Sequence, residues 1–523
     1  MTSTALTAAL LCSTSCLYGS LIDEMSLEEK VGQLLMAHFH GEEANEDAKT
    51  LIQDVHVGSI IYYNWANSLS SPRQVRKLSS GLQTLTLQTS HKIPLAIATD
   101  QEGGLIARLT NGFTIFPGNK ALGMTNTPEL ARKCACAMGE EARQVGVTWI
   151  LGPVVDVNRP ENPVIGIRSF GEDGREVAQF AAQACYGYQD AKIKTCAKHA
   201  IGQGFGKTDP HYDFSVVDLT KEELERQDLP PFIAVRDLVD AIMVGHLVVK
   251  AIDPDTVATF SQKVVKYIRA KGFNKLLVTD SLVMEGLLKH CESVDEAAVK
   301  ALQAGYDMLI LGGKVLLGTQ DSLELTVQDV KRIHGHILDA VHEGRLSMDR
   351  INEAVKRVLA FKQGMPRDVD PQKVPPSVST PEHRELARIV AEKALRSTGK
   401  KPEILSCTLF APDILKDSLD TTSFPQKVNI TYFSSLNPTD QDQKSMLETA
   451  KKTNTIIICT YNAWKNPAQK QLVQSLIDLG KPVVVIETRD PLDAPLFQGA
   501  SYIITTYSPT TPSLQAAANN LFD

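Results

Sequence analysis

The sequence predicts an α/β protein: a (β/α)8 TIM-type barrel followed by a smaller α/β domain, a parallel-sheet sandwich. Three observations predict it. From about residue 27 to 365, short apolar runs alternate with longer segments whose apolar residues recur at three and four, the pattern of parallel strands joined by crossover helices. About eight repeats over that length is the count of a closed barrel rather than an open sheet. Finally, "PRDVDPQKVPPSVSTP", Pro366 to Pro381, holds five prolines. It can form neither a helix nor a central strand, so it reads as a linker.

The strand runs, in order, are "QLLMAHF", "GSIIYYN", "PLAIATD", "TWILGPVVDV", "IKTCAKH", "AIMVGHLVV", "KLLVTDS" and "DMLILGG". Between them lie amphipathic segments such as "PELARKCACAMGEEARQVG" and "REVAQFAAQACYGYQDA". Past the linker comes a helix, "HRELARIVAEKALRS", and a second alternating series with strands "TIIICTY", "KPVVVIET" and "SYIITTY". The expected divisions are an apolar N-terminal segment (1–22), the barrel (23–365), the linker (366–383) and the C-terminal α/β domain (384–523).

The 523 residues are too many for one compact core. With 43% apolar and 22% charged residues, the composition is that of an ordinary globular protein. A net charge of -7 gives no general reason to bind nucleic acid. The nine cysteines show no metal-ligand spacing, and Cys134 and Cys136 fall in a helical stretch where packing explains them. The first 20 residues carry no charged side chain, yet lack a basic start and an A-x-A site, and are too short to span a membrane. The expected location is the cytoplasm, with export or lipidation at Cys16 as the alternative. The chain is expected to be monomeric.

The stretch "KHAIGQGFGKTDPHYDF", residues 198–214, has the glycines, lysine and threonine of a phosphate loop. A Walker loop needs four residues between its first glycine and Gly-Lys, whereas Gly202 and Gly206 are separated by three. It also needs a helix at once, and Pro210 biases Asp209 toward extended backbone instead. The loop therefore presents Asp209 and His211 rather than a phosphate cradle.

In barrels of this class, chemistry sits at the carboxyl ends of the strands. Those ends here carry Asp100, Asp156, Lys198, His199, His246 and Asp280. Any one could cap a helix or sit hydrogen-bonded in the core. Together on one rim they make a polar, concave site suited to a small hydroxylated ligand such as a sugar.

Several long motifs then carry a family resemblance. "DQEGGLIARLTNGFTIFPGNKALG", "GPVVDVNRPENPVIGIRSFGED", the Lys198–Phe214 loop, "VTDSLVMEGL" and "EGRLSMDRINEAVKRVLAFK" follow in order. In these the chain resembles the family 3 glycoside hydrolases, in particular their β-N-acetylglucosaminidase branch. The loop departs at Ala200-Ile201 and at Pro210, neither of which removes a catalytic atom. The resemblance implies a retaining exo-β-N-acetylglucosaminidase acting on terminal β-linked GlcNAc, with peptidoglycan fragments as the expected source. It implies Asp280 as nucleophile and His211, oriented by Asp209, as acid/base; D-x-H spacing puts both on one side of an extended segment. It further implies Asp100, Arg108, Arg168, Lys198, His199, His246 and Met284 as substrate-facing groups, with Asp156 and Met284 read as supporting or packing residues. No metal and no cofactor are expected, and the only expected partner is the carbohydrate. The alternatives are a β-glucosidase of the same family, a glycan-binding protein without catalysis, or a metal hydrolase on His199, Asp209, His211 and His246, which leaves Asp280 without a role. Release of the product by water or by phosphate stays open.

Overall fold

The computed structural model describes residues 21–160, 162, 164–206, 215–288, 291–314, 324–366, 370–373, 376–425, 428–434 and 436–523. Eight parallel strands close into a barrel: β1 (Leu35–Ala37), β2 (Ser59–Tyr62), β3 (Ala96–Thr99), β4 (Trp149–Ile150), β5 (Lys194–Ala200), β6 (Ala241–Val244), β7 (Leu276–Ser281) and β8 (Met308–Ile310). Each pairs with its successor in the chain, and β8 closes on β1. All eight predicted runs become barrel strands, with two corrections. Only the first part of "TWILGPVVDV" is strand, because Pro153 has no N–H to give the ladder; pairing resumes as a single bridge between Val154 and Lys198. The run "AIMVGHLVV" is two strands, not one. It breaks at Gly245, whose missing side chain makes room for the Gln203 carboxamide, and Leu247–Val249 leaves the barrel to pair with Ser215–Val217.

The crossover helices begin where the sequence supplies caps. Ser71, Asp173, Ser293 and Thr326 each accept a first-turn N–H, and Pro72 takes a position that needs no donor. Their apolar faces and the strands make one continuous core. Trp149 is fully buried in it, 4.5 Å from the ring of Phe361 in the last barrel helix, Met348–Lys362. At the amino ends of the strands, the buried carboxylate of Asp307 takes Arg269 and Arg350 at 2.7 Å and Arg357 at 3.0 Å. It also accepts the Leu277 N–H, so it ties β7, β8 and the last helix together at the face remote from chemistry.

The C-terminal domain is a six-stranded sheet: β9 (Arg396–Gly399), β10 (Cys407–Pro412), β11 (Val428–Phe433), β12 (Thr455–Thr460), β13 (Val483–Glu487) and β14 (Tyr502–Thr505). The strand order is β9-β14-β13-β12-β10-β11. The expected parallel sheet needs one correction, since the edge strand β9 runs antiparallel to β14. Helix Pro381–Ala394, which begins inside the expected linker, packs its Ala387, Val390 and Ala394 into the barrel core. Two links reinforce the junction: His383 Nδ1 lies 2.7 Å from Glu141 Oε1, and Arg396 donates to the Met124 carbonyl at 2.6 Å. Farther up, Asp490 lies where a side chain on Gly166 would have to go. Its carboxylate is held there by the Asn462 amide at 2.9 Å. No helix among the described residues is long and apolar enough to cross a membrane. No disulfide joins the seven described cysteines, Cys134 and Cys136 among them.

Candidate active site

The carboxyl ends of the barrel strands enclose a cavity of about 340 Å³. Asp100, Arg108, Arg168, Lys198, His199, Asp280 and Met284 all line it, so the structure gathers seven of the predicted site residues in one place. A second cavity, of about 380 Å³, opens at the opposite face beside Arg76, Arg143, Lys192 and Lys194. Among the described residues, none of those that line it is a carboxylate or histidine.

One wall of the upper cavity is an ion-pair network. Lys198 Nζ is 2.7 Å from both Asp100 Oδ1 and Glu102 Oε1. Arg168 grips Glu102 with two parallel hydrogen bonds, at 3.0 and 2.9 Å. Arg108 stands 3.5 Å from the other Asp100 oxygen. Burial works to raise the Asp100 carboxyl, but Lys198 and Arg108 outweigh it and hold it below the ordinary carboxylate range. Glu102, buried too, is held well below that range by Arg168 and Lys198. Burial in turn disfavours the Lys198 ammonium, yet the two carboxylates keep its pKa above the usual value. The wall is therefore fully charged at neutral pH and presents fixed acceptors and donors.

His199 extends this wall. Its backbone N–H and its Nδ1 meet the two oxygens of Asp156, at 2.9 and 2.8 Å. That leaves Nε2 toward the cavity, 3.5 Å from Arg168. Asp156 is fully buried and does not line the cavity; it sets the ring of His199.

Across the cavity, Asp280 ends β7. Its Oδ1 accepts the Ser281 N–H at 2.7 Å, and Ser281 is itself pinned by its hydroxyl to the Gly312 carbonyl at 2.6 Å. His246 braces the same residue from behind: Nε2 is 2.8 Å from the Ser281 carbonyl and Nδ1 is 2.6 Å from Thr259 Oγ1. The expectation that His246 faces the substrate is thus corrected. The strand ends two residues earlier, at Val244, and the turn at Gly245 carries His246 behind the Asp280–Ser281 segment, where it is 1% exposed. Asp209 and His211 lie outside the described residues. The loop before them is informative nonetheless. Residues Gln203–Phe205 form one 3-10 turn, and Gly204 backs onto the Val157 carbonyl so closely that no side chain fits. The glycine there serves packing, not a phosphate.

Among the lining residues that the sequence reading did not single out are Glu102, Tyr63, Trp65, Gln203 and Lys314. Glu102 sits in a short hairpin, Gln101–Gly103 with Ile106–Ala107, and its alternation with Asp100 was the available signal. Tyr63 and Trp65 follow β2, their rings stacked 4.9 Å apart, and Lys314 Nζ lies 4.2 Å over Trp65. They form the outer, aromatic lip of the cavity.

Beneath the site Asp228 is fully buried, and neither carboxylate oxygen has a well-formed hydrogen bond among the described residues. Burial pushes its pKa up to about 8, Asp156 adds to this, and the Gly202 N–H opposes it. The folded state therefore favours the protonated acid. That contribution to stability is complete below the ordinary carboxylate pKa, and is lost as pH rises through 8. Asp228→Asn should accordingly gain stability relative to the parent as pH rises from about 5 to 8.5, by up to about 1.4 kcal/mol per pH unit. Urea denaturation at the two pH values reads this directly; a constant difference would refute it.

The chain is similar to known proteins over most of its length. Residues 26–361 match the model described as glycosyl hydrolase family 3 N terminal domain. Beta-hexosaminidase A of Pseudoalteromonas piscicida is 28% identical over 369 residues, 66% of this chain and 59% of the relative. The protein named beta-N-acetylglucosaminidase/beta-glucosidase from Cellulomonas fimi is 27% identical, over 74% of this chain and 66% of its own length. The chain thus spans less than two thirds of these two relatives. Among solved structures, a glycoside hydrolase family 3 beta-N-acetylglucosaminidase from Paenibacillus sp. str. FPU-7 superposes with a TM-score of 0.86 at 31% identity. That similarity covers 95% of this chain and 96% of the other.

Proposed function

The chain belongs to glycosyl hydrolase family 3, and from that premise we propose that it is a retaining exo-β-N-acetylglucosaminidase. The observation that carries the proposal is the cavity of about 340 Å³ with Asp280 on one side and the Asp100–Lys198–Glu102–Arg168 network on the other. It is at the small end of ligand sites, room for one terminal sugar ring. The names of the similar proteins support the N-acetyl sugar.

In this reading Asp280 attacks the anomeric carbon and forms a glycosyl-enzyme while the leaving oxygen takes a proton. His211, set by Asp209, gives that proton and later takes one from water. The ring hydroxyls are held by Asp100, Arg108, Lys198 and His199, with Arg168 toward the acetamido side. A peptidoglycan fragment with a muramyl leaving group fits the lip, where the Lys314 ammonium over Trp65 would meet its lactate carboxylate. The Cellulomonas fimi name keeps a second reading in view, activity on β-glucosides as well.

The test is release of 4-nitrophenol from the β-N-acetylglucosaminide and the β-glucoside side by side. We expect turnover of the N-acetyl substrate with a clear preference over the glucoside. Turnover of the glucoside alone, or of neither, would overturn the proposal.

A further inference from the structure

Beside the sugar cavity, at the carboxyl end of β1, stand three side chains that the reaction does not use. His38 and His40 lie two residues apart past the strand end, and Glu324 faces them from the far side of the β8 loop. One ligand atom from each of the three falls within 4.8 Å of the other two. His40 Nε2 and Glu324 Oε1 are 2.5 Å apart. The other Glu324 oxygen is buried without a hydrogen bond among the described residues, with Lys314 Nζ 3.4 Å away. His38 is buried and His40 about half exposed, so the cluster has a closed inner end and an open outer one. Trp65 walls it, its ring 5.0 Å from that of His38 and 5.6 Å from that of His40.

We propose that His38, His40 and Glu324 form a site for one divalent metal ion of the zinc class, outside the catalytic cavity. Two imidazoles and a carboxylate are donors that zinc takes, and three protein ligands leave a fourth, tetrahedral position for water on the open side. Ligand atoms around such an ion stand about 3.4 Å apart at bonds of about 2.0–2.1 Å. The His40–Glu324 pair therefore opens by under an ångström, and Lys314 gives up Glu324 to the ion. The ion would fasten Glu324, whose backbone already bridges that of Lys314, to the segment after β1. Because Lys314, Tyr63 and Trp65 also line the sugar cavity, the clamp acts on the outer lip and not on the bond being broken.

The experiment is calorimetric titration of the chelator-treated full chain with Zn²⁺, with the zinc content of dialysed protein as a second readout. We expect one Zn²⁺ per chain. His40→Ala and Glu324→Gln should each weaken it at least tenfold, and neither change touches the buried core. His211→Ala, at the proposed acid/base, should leave the affinity unchanged. Absence of binding, an affinity unchanged from the parent in the His40 or Glu324 variant, or loss of binding in the His211 variant would each overturn the proposal.

Discussion

Asp280→Ala should lower turnover of an aryl β-N-acetylglucosaminide by about 10⁴-fold or more while the protein keeps its fold. The carboxylate sits at the end of β7, and its Oδ1 accepts the Ser281 N–H, so removing it leaves the Ser281 hydroxyl anchor in place. The loss is expected on the bond-making step, because the other carboxylates among the described lining residues, Asp100 and Glu102, are both committed to Lys198. Azide separates this from mere distortion of the site. In the alanine variant, azide can enter from the vacated side, bond to the anomeric carbon and expel the leaving group, giving the α-glycosyl azide. Restored turnover with that anomer supports the role; a β-azide, or no rescue at all, goes against it.

Lys198→Met should cost about 3–5 kcal/mol of stability, the order expected when one partner of a buried charge network is removed. Glu102 would keep Arg168, but Asp100 would be left with Arg108 alone at 3.5 Å. The penalty depends on pH. Asp100 is now held ionised by its partners, so its contribution is present above the ordinary carboxylate pKa and fades as pH falls through its own lowered value. Without Lys198, burial favours the protonated acid. The stability gap between parent and variant should therefore be wider at pH 7 than near pH 4. Chemical denaturation at both pH values measures it, and an equal gap would mean that Asp100 is not what the lysine holds. Loss of a charged hydrogen bond to the sugar should also lower kcat/KM by roughly 10- to 100-fold.

The barrel was legible because its strands are continuous apolar runs, which fix position without knowledge of their partners. What the runs could not reveal were their ends. "AIMVGHLVV" reads as one strand until Ser215–Val217 claims its second half, and that partner lies far away in sequence. His246 was misplaced for this reason alone. In the C-terminal domain three strands were missed: β9 and β11 are edges, Arg396–Gly399 mostly polar and exposed and Val428–Phe433 only partly covered, whereas β10 is central and fully buried but ends in a proline. The charged wall was half legible. Asp100 and Lys198 fall at strand ends, whereas Glu102 sits in a hairpin that no strand-end rule reaches. His38-Phe39-His40 is an alternating pair in plain sequence. Its meaning rests on Glu324, which only the closing of the barrel brings alongside.

The contact between Asp490 and Gly166 bears on the order in which the molecule is made. The turn Gly166–Arg168 delivers one of the three cations of the charged wall, and its outer support follows β13, in the domain after the barrel. Domains fold largely as they leave the ribosome, the amino-terminal one first. A nascent chain can thus close the barrel with the Arg168 turn still open on one side. The cavity at the carboxyl ends of the strands is finished from outside, by a domain that follows the barrel in the chain.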